Sequence, residues 1–486
     1  MTKDDVDVLI VGAGISGIGL ACHLRRRLPS RTFTLLEARD VLGGTWDLFR
    51  YPGIRSDSDL HTFAYEFKPW TSDNAIAGAP EILAYLHETV AEYGIGRHIR
   101  FGHRVVGADW SSRSARWTVQ VERADTGERL ELTAKVLFSA TGYYDYAGGY
   151  APRFPGSDQF GGRIVHPQHW PDDLDHAGKR VVVIGSGATA VTLVPAMAET
   201  ARHVTMLQRS PGYVVSVPEQ DSLANLLREL LPAPLAYRIT RRINIAIQRL
   251  VYDLSMRHPR FVRRLIRGLA RRRLPEGYAV DTHFNPRYDP WEERMCVVPN
   301  GDLFDAISAG TASVVTDRIV RFTEGGILLA SGRGLDADVV VTATGLNLLV
   351  FGGLQLSVDG APVALEQAVA YKSMMLSGVP NFAYAFGYTN ASWTLKVDLV
   401  CEHLCRVLAR MDARGADRVV PVPADPAMER RPLLDFQAGY VQRAVHRFPK
   451  QGVEGPWTVE MSYARDRRRL REGTVEDPEL QFGAAA

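Results

Sequence analysis

The sequence predicts an α/β protein with two Rossmann-like dinucleotide-binding units and a helical insertion. Two glycine fingerprints point to this fold, GAGISG at residues 12–17 and GSGATA at residues 185–190. Each lies between a short apolar strand and a helical stretch, which is the context that a dinucleotide site requires. Each unit also ends in a similar buried strand that runs into Ala-Thr-Gly, at residues 136–142 and 339–345. The chain of 486 residues is too long for one core and is expected to form two or three domains.

The composition is that of an ordinary globular protein, with 46% hydrophobic and 23% charged residues. A net charge of +2 gives no reason to expect nucleic acid as a partner. The four cysteines do not form a disulfide framework for a chain of this size, and they suit a reducing cytosol. No apolar run is long enough to cross a bilayer, and the first apolar strand leads straight into the glycines, which argues against a signal peptide. We therefore expect a cytoplasmic protein; no metal site is predicted, and an oligomer is compatible with the sequence.

The first unit has every part of a dinucleotide site in order. Gly12 permits the tight turn, Gly14 lets the backbone approach a pyrophosphate, and Gly17 lets the following helix, predicted at residues 18–27, pack on the strand. The helix N-terminus offers free N–H groups and the positive end of its dipole to the phosphates. Glu37 ends the second strand about twenty-five residues after Gly12, where an acid can bind ribose hydroxyls.

The second unit repeats this pattern with one change. Gly185, Gly187 and Ala190 take the fingerprint positions, but Gln208 falls where the first unit has its acid, and Arg209 follows. Losing the carboxylate removes repulsion toward a 2′-phosphate, and the guanidinium supplies a permanently charged, forked partner for it. An arginine after a strand is more often plain surface, but the paired loss and gain favours a phosphate contact. We therefore expect FAD in the first unit and NADPH in the second.

Between and after these units the chain divides into further segments. Residues 101–138 alternate apolar and polar side chains around a turn, which predicts a β-meander. Residues 283–302 are rich in Pro, Trp and Arg and are expected to form an irregular loop around a site. The predicted division is an FAD-binding domain at 1–146 and 380–486, an NADPH-binding domain at 147–215 and 296–379, and a helical insertion with the active-site loop at 216–295.

The insertion is strongly basic. Leucines and isoleucines at helical spacing alternate in residues 221–275 with many arginines, against which stand only Asp221, Glu229 and Asp253. These arginines are Arg228, Arg238, Arg241, Arg242, Arg249, Arg257, Arg260, Arg263, Arg264, Arg267, Arg271, Arg272 and Arg273. Two interpretations remain open: a solvated face balanced by acids elsewhere, which is favoured, or peripheral contact with an anionic membrane surface.

The linker between the two units carries a signature of its own. It is F-x-G-x-x-x-H-x-x-x-W-P, with Phe160, Gly162, His166 and Trp170 at the fixed positions. This signature resembles the fingerprint of the type I Baeyer–Villiger monooxygenases, flavoenzymes that insert one oxygen of O2 beside a ketone carbonyl. Relatives that oxidise only soft heteroatoms usually carry Tyr or Phe where Trp170 stands. A chance match in a Gly/Pro-rich loop is the plain alternative.

A second block supports the same resemblance. GGTW at residues 43–46 and RYPGIRSD at residues 50–57 are similar to the run that surrounds the flavin in that family, although a surface turn is the plainer interpretation. The resemblance extends over almost the whole chain and is closest to the compact, ethionamide-activating branch, which shares the block around residues 283–294 and the segment YTNASWT at residues 388–394. The flavin contacts that it implies in the block are Gly44, Thr45, Trp46 and Asp57.

The resemblance also implies a mechanism. NADPH reduces FAD, the reduced flavin traps O2 as a C4a-peroxide, and this peroxide converts a ketone to an ester or lactone or oxidises a sulfide or thioamide at sulfur. Arg294 matches the family's active-site arginine, and Asp57 matches the acid that orients it. An arginine suits an anionic centre because it stays protonated at any working pH. This chain departs from many relatives in having Glu293 rather than Lys before Arg294, so it lacks the neighbouring cation that those relatives have between the 2′-phosphate and this arginine.

Three other functions share parts of this sequence pattern. A flavin monooxygenase that oxidises only nitrogen or sulfur shares both glycine fingerprints, but Trp170 and Arg294 argue against it. A simple NADPH-dependent reductase or oxidase needs no such linker. A non-enzymatic flavin or NADPH sensor is disfavoured because the residues expected at the oxygenation site are present. The expected partners are therefore a ketone or organosulfur substrate and O2.

Overall fold

The computed structural model describes residues 5–485. Its strands are β1 (Asp5–Val11), β2 (Phe33–Leu36), β3 (Ile99–Arg100), β4 (His103–Ser111), β5 (Arg116–Arg123), β6 (Arg129–Ser139), β7 (Arg163–Val165), β8 (Arg180–Ile184), β9 (His203–Gln208), β10 (Val214–Val217), β11 (Cys296–Pro299), β12 (Ala312–Thr316), β13 (Ile319–Thr323), β14 (Gly326–Leu329), β15 (Gly334–Asp336), β16 (Val339–Thr342), β17 (Gln355–Val358), β18 (Ala361–Pro362), β19 (Ala370–Tyr371), β20 (Met375–Leu376), β21 (Phe382–Tyr384), β22 (Arg418–Pro421), β23 (Arg431–Pro432), β24 (Lys450–Gln451) and β25 (Leu480–Gly483). Its α-helices are α1 (Ile15–Arg27), α2 (Thr45–Leu48), α3 (Leu60–Phe63), α4 (Ala79–Glu92), α5 (Ala188–Ala198), α6 (Ser222–Leu230), α7 (Ala233–Arg257), α8 (Pro259–Arg273), α9 (Val280–His283), α10 (Asp302–Ser308), α11 (Trp393–Arg414), α12 (Gly439–Gln442) and α13 (Tyr463–Asp466).

The first unit is built on a large mixed sheet, with the order β18-β17-β4-β5-β6-β1-β2-β3 along its main path. Strand β1 lies between β2 and β6 and runs parallel to both. The face of the sheet that carries α1 also packs against α11 from the C-terminal part of the chain, so that α1 is enclosed between sheet and helix. Parallel strands covered in this way are buried, which explains the unbroken apolar run of β1.

The second unit is a five-stranded parallel sheet with the order β12-β9-β8-β16-β7. It repeats the first unit in register: Val11 pairs with Leu36 in one unit, and Ile184 pairs with Leu207 in the other. Each pair is followed by the first fingerprint glycine on one strand and by Glu37 or Gln208 on the other. The predicted α/β fold with two Rossmann-like units and a helical insertion is confirmed.

Several boundaries differ from the predictions. Helix α1 begins at Ile15 rather than residue 18, because the fingerprint itself forms its first turn. The 283–302 segment is not irregular throughout, since β11 pairs in parallel with β10. The β4–β5–β6 meander is confirmed as antiparallel. Strands β17 and β20 join the sheet of the first unit, so the chain returns to that unit before the predicted boundary at residue 380.

Candidate functional site

A cavity of about 530 Å³ lies between the two units. Its walls come from the first glycine turn, the block around residues 43–58, the segment 140–147, the start of α5, and Arg294. The first unit thus supplies a long trough, and the second unit closes one end of it with Ala188 and Thr189. A site of this shape, at the carboxyl ends of parallel strands, is where such folds bind their ligands.

The trough has the geometry that a pyrophosphate requires. Gly12 has φ of +106°, and a Cβ there would lie 2.8 Å from the carbonyl oxygen of Ala140. Gly14 is different: a Cβ would have only the Gly44 backbone nearby, at 3.6 Å, so a side chain would project into the trough. No side chain caps α1 among residues 5–485, and its first turn contains no acid, so its N–H groups remain available to phosphate. The glycine turn therefore fits the diphosphate of FAD.

Glu37 lies beside the glycine turn and lines the same trough. Its two carboxylate oxygens accept hydrogen bonds from the backbone N–H groups of Ala13, at 2.8 Å, and Arg39, at 3.1 Å. Burial raises the pKa of Glu37, and these backbone bonds oppose that rise. The carboxylate is thus fixed beside the turn, where ribose hydroxyls of a bound nucleotide would lie.

Aromatic side chains form the wall along the middle of the trough. Trp46 contacts Phe63 edge to face, with 5.5 Å between ring centroids. The Thr45 hydroxyl lies 3.3 Å from the hydroxyl of Tyr146. Trp393 donates its indole N–H to Ser16 at 2.9 Å, which fastens the start of α11 to the first turn of α1. Flat, rigid surfaces of this kind suit the isoalloxazine ring of a flavin.

Arg294 and Asp57 meet at the junction of the two units, although 237 residues separate them in sequence. Arg294 Nη2 donates to Asp57 Oδ1 at 2.7 Å. The negative charge of Asp57 raises the pKa of Arg294 further above its usual range, so the guanidinium is charged at every working pH. Its side chain is enclosed by protein yet 39% exposed, because one side of it faces the cavity. The arrangement is a fixed cation directed at the space between the two nucleotide sites.

Three tyrosines surround this cation, and sequence reasoning did not single them out. Tyr143 and Tyr144 follow the closing strand β6 and line the cavity. Tyr440, from α12, lies close to Tyr143 and Arg294, and burial raises the pKa of the Tyr143 and Tyr440 phenols. The hydroxyls therefore remain protonated beside Arg294 and can donate hydrogen bonds. The first pair could have been suspected from its place after Ala-Thr-Gly, but no local signal marks Tyr440.

The residues predicted for the NADPH site lie around the glycine turn of the second unit. Gly185 and Gly187 precede α5, Ala190 is buried in its first turn, and a Cβ on Gly187 would meet no atom within 4 Å among the described residues. Gln208 is buried, and its amide donates to the carbonyl oxygen of His283 and to the Thr316 hydroxyl, both at 2.8 Å. Arg209 is exposed and makes no ion pair or hydrogen bond within residues 5–485, which leaves it available to a 2′-phosphate. Burial raises the pKa of Glu293, and the positive charge of Arg209 opposes that rise.

The linker signature does not line the cavity. Phe160 is buried against Phe322, and a Cβ on Gly162 would lie 2.3 Å from the carbonyl oxygen of Asp338, so both shape the edge strand β7. Trp170 is half-buried in the core of the second unit. His166 donates from Nε2 to the carbonyl oxygen of Gly345 at 3.2 Å, and its Nδ1 accepts from the Gln168 N–H. Burial lowers the pKa of His166, which favours this neutral, bridging form.

These contacts fall on the two places where the chain crosses between the units. The crossings, residues 143–150 and 345–349, pair with each other through backbone bonds from Asp145 to Asn347 and from Leu349 to Tyr143, each 2.9 Å. Gln168 adds a bond of 2.7 Å from its amide to the carbonyl oxygen of Asp145. His166 and Gln168 therefore hold the inter-unit connection, and the fixed residues of the signature lie outside the cavity.

None of the helices within residues 5–485 is both long and apolar enough to span a bilayer. Within those residues, no group of three or more His, Cys, Asp or Glu side chains is placed to hold a metal ion.

Comparisons with known proteins agree with this geometry. The sequence profile of the flavin-binding monooxygenase-like family matches residues 65–377, and that of an NAD(P)-binding Rossmann-like domain matches residues 10–73. The FAD-containing monooxygenase EthA of Mycobacterium tuberculosis is 53% identical over 480 residues, which cover 99% of this chain and 98% of that protein. The probable FAD-binding monooxygenase AlmA of Acinetobacter baylyi is 48% identical over 98% of this chain and 96% of its own. Among solved structures, an oxidised steroid monooxygenase bound to NADP superposes with a TM-score of 0.76 at 23% identity, over 99% of this chain and 100% of that one. The predicted flavoprotein monooxygenase is thus confirmed, and the chain belongs to the flavin-binding monooxygenase-like family.

Proposed function

We propose that this flavoprotein is a Baeyer–Villiger monooxygenase, which uses FAD, NADPH and O2 to convert ketones to esters or lactones and also oxidises sulfur in sulfides or thioamides. The observation that carries the proposal is the Arg294–Asp57 pair at the junction of the two nucleotide sites. The FAD-containing relatives and the NADP-bound steroid monooxygenase of the same fold support the choice of cofactors.

The residues of the two units suit these cofactors. Bound FAD, reduced by NADPH, would supply the electrons that activate O2. Gly14 leaves room for the diphosphate, and Glu37 would accept the ribose hydroxyls. In the second unit, Gly187 leaves open space before α5, and exposed Arg209 would bind the 2′-phosphate. We further propose the division into FAD-binding, NADPH-binding and insertion segments, with strands β17–β20 added to the FAD-binding part.

Arg294 would then stabilise negative charge during ketone oxygenation. When a nucleophile adds to a ketone, the carbonyl oxygen becomes an alkoxide, and a preorganised cation lowers the energy of that state. Asp57 fixes the direction of the guanidinium without neutralising its donors toward the cavity, because only Nη2 is engaged. The neighbouring phenols of Tyr143 and Tyr440 offer further protonated donors. Sulfur oxidation forms no such alkoxide and depends less on this cation.

The alternative is an enzyme that oxidises only nitrogen or sulfur, and product analysis separates the two. The purified yellow protein is incubated with NADPH, O2 and a panel of aliphatic, aromatic and cyclic ketones and sulfides. We expect esters or lactones from some ketones and S-oxides from some sulfides, with oxygen uptake that depends on NADPH. S-oxides without any ester, across the whole panel, would favour the alternative.

The helical insertion supports a second proposal, which concerns location. Helix α7 faces the first unit with polar side chains: its buried residues include Tyr237, Thr240 and Arg241. The Arg241 guanidinium donates to the carbonyl oxygens of residues 61, 62 and 64, and Gln248 donates to Asp59 at 2.6 Å. A helix on the surface of a water-soluble domain normally turns its apolar side inward. Helix α7 instead turns polar side chains toward the first unit.

The apolar side chains of the insertion consequently lie outside. Eleven of the fifteen large hydrophobic side chains that are exposed within the described chain belong to it: Leu223, Leu226, Leu230, Leu235, Ile247, Leu250, Val251, Met256, Phe261, Leu265 and Leu269. On α8, Phe261, Leu265 and Leu269 form a stripe beside the exposed Arg260 and Arg264. We propose that this basic, apolar face rests on an anionic membrane surface, as amphipathic interfacial helices do. The protein would be cytoplasmic and peripheral.

Vesicle flotation tests this location. We expect the holoenzyme to float with vesicles that contain phosphatidylglycerol and to float much less with neutral phosphatidylcholine vesicles. The triple variant Phe261→Ser/Leu265→Ser/Leu269→Ser should lose at least about tenfold in binding, because it removes apolar area that inserts between lipids. Its flavin content and NADPH oxidation serve as controls for folding. Failure of the wild-type protein to float would favour a merely solvated face, and a change of the variant from oligomer to monomer would favour a subunit interface.

A further inference from the structure

A second and larger cleft adjoins the cavity. Its volume is about 1740 Å³, and it lies between α7 and the C-terminal segment 431–472. The segment from Asn390 to Leu395 separates it from the cavity, and Ala391 lines both. Just beyond Ala391, Trp393 lines the cavity. The cleft therefore ends against the wall that faces the proposed reaction site.

One part of the cleft is apolar. Ile245 of α7 faces Leu433, Val459 and Met461 of the C-terminal segment across it, and Leu250 lies at its open edge. Leu250 is 66% exposed, so apolar surface remains open to water along this part. Burying such surface against an alkyl chain is favourable by about 25 cal/mol for each Å² removed from water. An elongated hydrocarbon chain thus fits this part of the cleft.

The rim of the cleft is basic. Its carboxylates are mostly engaged with neighbouring arginines: Asp253 with Arg249, Glu460 with Arg465, Glu66 with Arg471 and Glu472 with Arg467, while Asp435 is exposed without an ion pair among the described residues. Within each of these pairs the two charges cancel, so the net charge of the rim depends on its other arginines.

Four arginines of the rim lack such a partner. They line the cleft, are exposed, and make no ion pair or hydrogen bond within residues 5–485: Arg26, Arg238, Arg242 and Arg468. Arg238 and Arg242 are one helical turn apart on α7, so they project from the same face. The forked donors of two such arginines match a carboxylate or phosphate group. With only Asp435 to oppose them, they give this rim a net positive charge.

We propose that the cleft binds an amphiphile, with its alkyl chain against the apolar part and its anionic head on Arg238 and Arg242. The chain then directs its far end toward Ala391 and the cavity. The substrate class that follows is a long-chain ketone with a terminal carboxylate or phosphate. Only this last step rests on the proposed Baeyer–Villiger function; amphiphile binding itself does not.

Matched ligands test the cleft. One substrate is a twelve-carbon methyl ketone, and the other is the keto acid in which a carboxylate replaces its far methyl group. In the holoenzyme variant Arg238→Ala/Arg242→Ala, we expect kcat/KM for the keto acid to fall by about 4- to 25-fold, since one exposed ion pair contributes a factor of about 2 to 5. The value for the neutral ketone should change by less than about twofold. The control variant Arg113→Ala/Arg129→Ala removes the same charge from exposed positions of the β-meander and should affect neither substrate.

A binding measurement separates this inference from the proposed reaction. Titration calorimetry of the holoenzyme with laurate and with dodecyl phosphate, neither of which carries a ketone, should give binding that weakens by the same factor in the α7 variant. The stronger of the two identifies the preferred head group. If both substrates lose equally, or if neither amphiphile binds the wild-type enzyme, the cleft is not an anion-directed site. If the amphiphiles bind as expected but no ketone gives an ester, the cleft assignment holds and the proposed reaction fails.

Discussion

Replacing Arg294 by alanine should separate NADPH consumption from ketone oxygenation. The substitution removes the cation that contacts Asp57 at 2.7 Å. The other arginine in this part of the cavity wall, Arg55, bonds Asp302 at 2.6 Å and cannot take its place. Losing one preorganised donor at a developing oxyanion costs about 10²–10³ in rate. Ester formation should fall by that factor, whereas flavin reduction, which needs only a bound nicotinamide beside the ring, should continue.

The decisive assay is the ratio of ester formed to NADPH consumed, with hydrogen peroxide measured in the same samples. For Arg294→Ala we expect steady NADPH oxidation, release of peroxide, and little or no ester. Arg294→Lys should rescue poorly, because an ammonium lacks the planar fork that reaches Asp57 and the cavity together. Asp57→Ala should show a milder loss, since the guanidinium stays in place but is aimed less well. The matched control is Arg287→Ala, an exposed arginine of the same loop outside the cavity. Wild-type coupling in Arg294→Ala would refute the reasoning.

Three further predictions address the cofactors and the fold. Gly14→Val should give colourless protein, because the valine side chain would project into the trough. The control Gly268→Ala changes a helical glycine in open space and should keep full flavin absorbance. Equal absorbance in both variants would contradict the FAD site. Arg209→Ala should lower kcat/KM for NADPH by about 10- to 100-fold and leave that for NADH nearly unchanged, as expected for one charge-assisted phosphate contact; an equal loss with both coenzymes would make Arg209 structural. Burial lowers the pKa of His403 from its ordinary 6.5 to about 3, so the unfolded chain binds this proton first as the pH falls. Stability should therefore be full above pH 6.5 and decline by about 1.4 kcal/mol per pH unit toward pH 3; urea midpoints of His403→Gln should decline less steeply, and an unchanged slope would rule out this contribution.

The sequence predicted the parts of the site that follow from short-range rules. Each of these parts lies within one strand–turn–helix unit: the glycine turns, Glu37, and its counterpart Gln208 followed by Arg209. The pairing register of the strands in that unit determines where these residues stand relative to the turn. The Arg294–Asp57 contact was predicted from family resemblance alone, because no local pattern relates residues 237 apart. Tyr440 escaped prediction for the same reason: it reaches the site from a short helix near the end of the chain.

The inward polar face of α7 also escaped prediction. Its hydrophobic periodicity predicts a helix, which is confirmed, but periodicity alone does not determine which side of the helix faces the protein. The inward side of α7 is decided by the carbonyl oxygens of residues 61, 62 and 64, which need hydrogen-bond donors that Arg241 supplies. Similarly, the linker signature indicated the family, but its placement outside the cavity depends on how two distant crossings pair.

Those paired crossings determine how the two nucleotide sites can move. A single covalent tether would let one unit swivel about the other in three directions. Two tethers that are hydrogen-bonded side by side, and held by His166 and Gln168, behave as one stiff ribbon that resists twisting and yields chiefly by bending. Bending at this ribbon would open or narrow the cavity between the two units, where Asp57 of the first unit meets Arg294 of the loop before β11. A histidine that lies outside the cavity thus helps to determine how the two nucleotide-binding units move against each other.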